Sequence, residues 1–185
     1  AASKMRKAQE AANAGRMYAQ KIAEMVNRLS AGSDPTHHPL LMPAPLTGKR
    51  LVVLLSTNKG LCGGLNTNLF RFFLKGYDKP GNHDYITIGL RGSVFLQHMK
   101  TTVIADFSGN VPFVGNVAAV VDLVLQKYLS KQYEGVDIVY NNFLSALHQE
   151  PKKRTIVPLS IDSTETSSID TREYLIEPSV RRVFD

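Results

Sequence analysis

Small and apolar residues recur through the start of the chain at gaps of four, three, four and three without a slip: Ala1, Met5, Ala8, Ala12, Gly15, Ala19, Ile22, Val26 and Leu29. A mean spacing of 3.5 residues is the period of a left-handed coiled-coil seam, and it predicts one continuous helix over 1–31. At a rise of ~1.5 Å per residue such a helix reaches ~45 Å, which outgrows a small domain. The middle of the seam, Ala8, Ala12, Gly15 and Ala19, would let a second helix approach closely, and Ile22, Val26 and Leu29 supply bulk. The outward positions carry Arg6, Lys7, Lys21 and Arg28, and residues 1–30 hold six basic against two acidic side chains. The plainer reading is a surface helix of the domain itself. Nine unbroken seam positions exceed what one small sheet could cover, so the pattern asks for a partner helix.

Gly32, Ser33, Asp34 and Pro35 stop this helix, and Pro39, Pro43 and Pro45 mark 32–48 as an irregular connector. Over 49–160 the signals alternate. Leu51 to Leu55 is a short apolar run suited to a strand covered on both faces. A Gly-rich turn, Lys59-Gly-Leu-Cys-Gly-Gly64, leads into a helical pattern from Asn66 to Lys75. Tyr85 to Ile88 reads as a strand, Ser93 to Lys100 as a short helix and Thr101 to Ala105 as a strand. Val117, Val120, Val121, Val124, Leu125 and Tyr128 then form an apolar helix face. This β-α-β-α-β-α order predicts an α/β domain with a mostly parallel sheet and crossover helices. Val136 to His148 and Arg154 to Leu159, around a Glu150-Pro151 turn, predict a hairpin at the sheet's edge. Residues 161–185 are an acidic Ser/Thr loop, a short extended piece at Tyr174 to Ser179 and the start of another helix. Both ends thus stop within expected helices, as boundaries of a longer protein would.

Composition removes several classes. The longest purely apolar run, Leu51 to Leu55, is far short of the ~20 residues a membrane-crossing helix needs. Cys62 is the single cysteine of 185 residues, so an intramolecular disulfide and a thiolate zinc cage are both out of reach, which favours a reducing compartment. His37 and His38 sit in the connector with only Asp34 nearby, a poor metal spacing. No G-x-S-x-G appears. The glycines at 60, 63 and 64 match neither a Walker A loop, which needs Lys-Ser/Thr, nor G-x-G-x-x-G, and Ile88 is followed by Gly89 and Leu90 rather than a ribose-binding carboxylate. Cys62 as a reactive thiol weighs less than Cys62 as a packing residue. We therefore expect neither catalytic residues nor a cofactor or metal site. The net charge of +6 and the tripeptide Lys152-Lys-Arg154 raise nucleic-acid binding, but no aromatic stacking platform accompanies them. Two alternatives stay open on residues alone: a small nucleotide- or phosphate-binding α/β enzyme, and a basic nucleic-acid binder.

Three segments carry a resemblance. Ala1-Ala-Ser-Lys-Met-Arg-Lys7, Ser56-Thr-Asn-Lys-Gly-Leu-Cys-Gly-Gly-Leu-Asn66 and Tyr174-Leu-Ile-Glu-Pro178 resemble, in order and spacing, the gamma-subunit family of F-type ATP synthases. The resemblance implies a Rossmann-like domain between two halves of a coiled-coil shaft, with the seam of the first helix paired to a C-terminal helix absent from this chain. It implies a non-catalytic central-stalk rotor that couples ion-driven rotation to ATP synthesis or hydrolysis on a ring of alpha and beta subunits. The partners it implies are alpha, beta, epsilon and the membrane c-ring, with no nucleic acid. Matched residue by residue, Lys4, Arg6 and Lys7 would lie near an acidic loop of beta, as would Asn58, Lys59, Gly60, Leu61 and Cys62. Tyr174, Ile176 and Glu177 would face epsilon and the membrane ring. The family commonly has Asp-Arg where this chain has Asn58-Lys59, and a second aromatic where it has Ile176. The cysteine-bearing insertion of the chloroplast form is absent. The implied location is therefore peripheral, on the cytoplasmic face of a bacterial inner membrane, with the matrix side of the mitochondrial inner membrane as the alternative.

Overall fold

The computed structural model describes residues 2–31, 39–41, 46–77, 81–109, 113–145 and 147–159. The chain divides into two compact units, Ala1–Met42 with Leu159–Asp185, and Pro43–Pro158.

In the first unit, α1 (Ala2–Ala31) is one uninterrupted helix of 30 residues, as the heptad pattern requires. Its exposed side chains form same-face ion pairs, Arg6 to Glu10 and Lys21 to Glu24, both at 2.9 Å. Each contributes about 0.2–0.5 kcal/mol to a helix of this kind. The Leu159 N–H donates to the Leu40 carbonyl at 2.8 Å, pairing the two chain segments of this unit. No helix among the described residues is long and apolar enough to cross a membrane.

The second unit is built on β1 (Arg50–Leu55), α2 (Leu65–Gly76), β2 (His83–Ile88), α3 (Leu90–His98), β3 (Val103–Asp106), α4 (Val117–Leu129), β4 (Gly135–Phe143) and β5 (Gln149–Val157). A single 3-10 turn, Phe113–Asn116, leads into α4. The sheet order is β3-β2-β1-β4-β5. β1 pairs in parallel with both β2 and β4, β2 with β3, and β5 alone is antiparallel, on β4. The expected α/β class, parallel sheet and edge hairpin are all present. β1 is the central strand, and Leu51 to Leu54 are all buried, which is why its sequence runs apolar instead of alternating.

Val52, Leu54 and Val139 from the sheet meet Leu69 and Phe73 from α2, Tyr77 just after it and Leu96 from α3 in one apolar cluster. Phe73 is its hub, edge-on to Phe95 at 5.6 Å and tilted against Tyr77 and Tyr85 at 5.0 and 5.5 Å. Phe70 stacks flat on Phe95 at 4.2 Å, so α2 and α3 share one face of the sheet. Leu51 and Val53 alternate to the opposite face. The carboxylate next to the amino end of β2 is paired. Asp84 receives Tyr133 Oη at 2.6 Å and Lys49 Nζ at 2.8 Å. Burial first, and then the neighbouring carboxylates Asp137 and Asp84, push the Tyr77 and Tyr133 phenols well above their ordinary range, so both remain donors.

Two expectations need correction. The hairpin turns at 144–148, and Glu150 and Pro151 lie inside β5. Proline lacks a ladder donor, and β5 tolerates it because it is an edge strand. Lys152, Lys153 and Arg154 therefore lie along an exposed edge strand and not at a turn. α3 also begins at Leu90, three residues before the expected Ser93, because its first turn is capped from another part of the fold.

Candidate functional site

The strand order reverses at β1: β2 and β3 lie to one side and β4 and β5 to the other. In open α/β sheets ligands and partners collect beyond the carboxyl ends of the strands at such a point. The segment Ser56–Gly64 occupies that place, between the end of β1 and the start of α2. Its anchors are side chains that a strand-to-helix turn supplies. Asn66 Nδ2, in the first turn of α2, donates to Thr57 Oγ1 at 2.7 Å and to Cys62 Sγ at 3.2 Å. Thr57 Oγ1 in turn donates to the Lys59 carbonyl at 2.7 Å.

A second set of bonds fastens the segment to α3. The Leu90 N–H donates to Asn58 Oδ1 at 2.8 Å, the Arg91 N–H to the Thr57 carbonyl at 3.0 Å and the Gly92 N–H to Ser56 Oγ at 2.7 Å. Ser56 Oγ also donates to the Gly89 carbonyl at 3.1 Å. The amides at a helix start are the usual receptors for phosphate. Here three of them are taken by three consecutive residues of the chain itself. The turn is thus a braced platform built across two α/β units.

Its tip presents a distinct chemistry. Leu61 is fully exposed and held at φ 58°, the left-handed region that a side-chain-bearing residue occupies at a cost of about 1–2 kcal/mol. An exposed aliphatic on a strained backbone marks a contact point better than either feature alone. Lys59 beside it is exposed, while Asn58, Gly60 and Cys62 are half-buried. Asn58 spends its carbonyl on α3, which an aspartate at this position would do equally well. Cys62 is a free thiol held by Asn66.

The structure brings Asn58, Lys59, Gly60, Leu61 and Cys62 into this one turn. On α1, Arg6 and Lys7 are exposed, whereas the side chain of Lys4 falls outside those described. Along the seam, Ala12 and Val26 are half-buried and Gly15, Ala19 and Ile22 are exposed. The side chains of Met5, Ala8 and Leu29 fall outside those described, and Tyr174, Ile176, Glu177, His37 and His38 lie outside the described residues. Among the described residues no group of three or more His, Cys, Asp or Glu is placed to hold a metal ion. Reasoning from sequence missed Ser56, Asn66, Gly89 and Arg91 as parts of the site. The polar run Ser56-Thr57-Asn58 after a strand is a capping signature, but nothing local says that the capped helix lies some 30 residues on.

The profile of the ATP synthase family matches residues 1–185. The ATP synthase gamma chain of Thiobacillus denitrificans is 34% identical over 193 residues, covering 100% of this chain and 67% of that protein. That of Leptothrix cholodnii is 32% identical over 195 residues with the same coverage. The chain thus spans about two thirds of the length of these relatives. In fold it matches a chain of the central stalk and c-ring of the Tetrahymena thermophila mitochondrial ATP synthase. The TM-score is 0.63 at 21% identity, covering 99% of this chain and 81% of the other.

Proposed function

This chain belongs to the ATP synthase gamma-chain family and is a central-stalk subunit, and from that premise we propose that it acts as the rotor, turning inside a catalytic ring and making no bonds itself. The match along the whole of this chain, at 34% identity and over 67% of the relative, is the observation that carries this reading. The physical features suit it. A shaft that transmits torque must be stiff along its length and close-packed to its second strand. α1 is an unbroken helix with small residues at Ala12, Gly15 and Ala19 along one stripe. The second strand would be a C-terminal helix of the parent protein.

In this reading Arg6 and Lys7, with Lys4, face an acidic loop of beta, and the braced turn at 58–62 meets the same subunit. Tyr174, Ile176 and Glu177 face epsilon and the c-ring. Exposed cations opposite a carboxylate surface attract without one fixed geometry, which a sliding contact needs. The complex would sit on the cytoplasmic face of a bacterial inner membrane, or on the matrix side of the mitochondrial one. Reversing Lys4, Arg6 and Lys7 to Glu in the reconstituted complex should lower ATP-driven torque and coupled ATP synthesis several-fold, each exposed pair being worth about 0.2–1 kcal/mol. Torque and synthesis equal to wild type would overturn the contact.

Leu61→Gly separates contact from stability. Relief of the left-handed backbone offsets the added freedom of the unfolded chain, so the urea midpoint should shift by less than about 1 kcal/mol equivalent. Retention of the chain in the purified complex should fall. An unchanged complex together with unchanged stability would mean that Leu61 touches nothing.

A further inference from the structure

The two faces of the sheet are covered unequally. The crossovers from β1 to β2 and from β2 to β3 run one way across the sheet, and that from β3 to β4 runs back. Right-handed connections therefore put α2 and α3 on one face and α4 alone on the other. A helix between β4 and a parallel fifth strand would have completed the second face. Here β5 returns through a hairpin instead, so the strip of that face formed by β4 and β5 receives no such helix. Burial follows the layering. Leu51 and Val53 of β1 are closed over, Ile138 and Tyr140 of β4 are only half-buried, and Lys152 and Arg154 of β5 are exposed. The register sets Tyr140 opposite Lys152 and Ile138 opposite Arg154, neighbours on one face with Cβ atoms about 4.5–5.5 Å apart. Lys153 and Thr155 point the other way and are engaged there, Lys153 over the Tyr77 ring at 6.0 Å and Thr155 with Asp137 at 2.8 Å. Lys152 and Arg154 have no ion-pair partner among the described residues. Glu150, the acidic residue of the same strand, accepts a bond from Asn142 Nδ2 at 3.2 Å. A sheet face that only meets water is polar along its length. Ile138 and Tyr140 do not fit that description.

We propose that the strip formed by Ile138, Tyr140, Lys152 and Arg154 is the docking surface for an acidic amphipathic helix of a partner subunit. The apolar stripe of that helix lies on Ile138 and Tyr140, and carboxylates one turn apart on its flank meet Lys152 and Arg154. Two strands span about 10 Å across a sheet, which is the width of one helix. Lys152 and Arg154, two residues apart on a strand, are separated by about 6.7 Å, close to the ~6 Å rise between positions i and i+4 of a helix lying along it. The charge selects the partner: two unanswered cations beside an apolar pair favour an acidic helix and repel a basic one. Seated there, the helix completes the second layer as α2 completes the first. The proposal rests on the rotor reading for the existence of a partner, but the place and the chemistry come from sheet order and register.

The test uses the assembled complex carrying the full-length protein, with the photo-crosslinking residue benzoylphenylalanine in place of Tyr140. Peptide mass spectrometry should find position 140 joined to residues three or four apart in an acidic segment of a neighbouring subunit. Crosslinks only within its own chain or to a second copy, or to alternate residues as in an added strand, would overturn the docked helix. So would the absence of any crosslink in a complex that retains the chain, which would leave the strip facing water and the rotor reading intact. Lys152→Glu combined with Arg154→Glu should lower the photoproduct yield about three- to ten-fold, the scale of two partly exposed ion pairs. Both side chains are exposed, so the urea midpoint should not move with it. The yield with both cations in place should also fall as added salt screens them. A yield indifferent to charge reversal and to salt would remove the acidic helix as the occupant. Failure of the wild-type protein to co-purify with any ATP synthase subunit would overturn the rotor reading and the docking surface with it.

Discussion

Replacing Asp137 by alanine is expected to destabilise the chain by about 3–5 kcal/mol, read as a lower urea midpoint with an unchanged denaturant slope. The carboxylate is buried in β4 and fastens four elements. Arg50 of β1 donates two bonds at 2.7 and 3.0 Å, Tyr77 at the end of α2 donates at 3.1 Å and Thr155 of β5 at 2.8 Å. Removing it leaves a partly buried guanidinium without its counter-charge, a larger penalty than the pair's net worth. A second substitution makes the argument falsifiable. Asp137→Leu combined with Arg50→Met removes both charges and should recover much of the loss, because well-packed apolar replacements of buried pairs are often neutral. If the double variant were no more stable than Asp137→Leu alone, the cost would lie in packing and not in the orphaned charge.

The same group sets an acid limb. Burial alone would push the Asp137 carboxyl up, but bonds from Arg50 and Thr155 and the charges of Arg50 and Lys153 outweigh it, leaving its folded pKa below the ordinary value of 3.8. The native state then holds this proton less readily than the unfolded state. The contribution is therefore complete above the ordinary aspartate value and is lost as pH falls below it and through the folded pKa. Asp137→Asn should flatten that limb of the stability curve while leaving the rest of its shape intact.

Gly89→Ala is expected to cost about 3–5 kcal/mol and to loosen the functional turn as well as the fold. Gly89 has φ 102° and ψ 133°, a backbone region essentially confined to glycine, worth about 1–3 kcal/mol of strain for any other residue. Its new Cβ would also lie 2.6 Å from Ser56 Oγ and 2.7 Å from the Ser56 carbonyl carbon, and relief of such overpacking costs about 1–3 kcal/mol more. Ser56 is the pivot of the brace, so the bonds that carry Asn58 and the loop tip to α3 should open together. Hydrogen exchange at the Leu90, Arg91 and Gly92 amides would report this directly. Gly76→Ala is the control: it meets nothing within 4 Å and should be neutral or stabilising. Equal effects at the two positions would dismiss the brace.

Local pattern carried much of the fold. The 3.5-residue period fixed α1 because no other structure keeps one stripe of small residues aligned over eight turns. The apolar run in β1 announced a strand buried on both faces, and the β-α alternation then left few topologies open. The hairpin turn was misplaced because Glu150-Pro151 is a strong turn signal on its own. Whether proline breaks a strand or rides on one depends on having a neighbour on one side only, which is an outcome of sheet order. The start of α3 was missed for a related reason: its cap is Ser56-Thr57-Asn58, from the far side of β2.

The functional turn divides along the same line. Sequence alone determined that Lys59 to Gly64 is a tight, glycine-built segment without a phosphate-loop signature, since those properties depend on residues adjacent in the chain. Only the tertiary structure decided that three amides of a distant helix close on it and that Leu61 stands exposed at its tip. It alone placed Arg91, 31 positions after Gly60, across that glycine's backbone. Such contacts follow from how β1 and β2 lie side by side, and their parallel register is set by the burial of whole strand faces, which no short stretch of sequence contains.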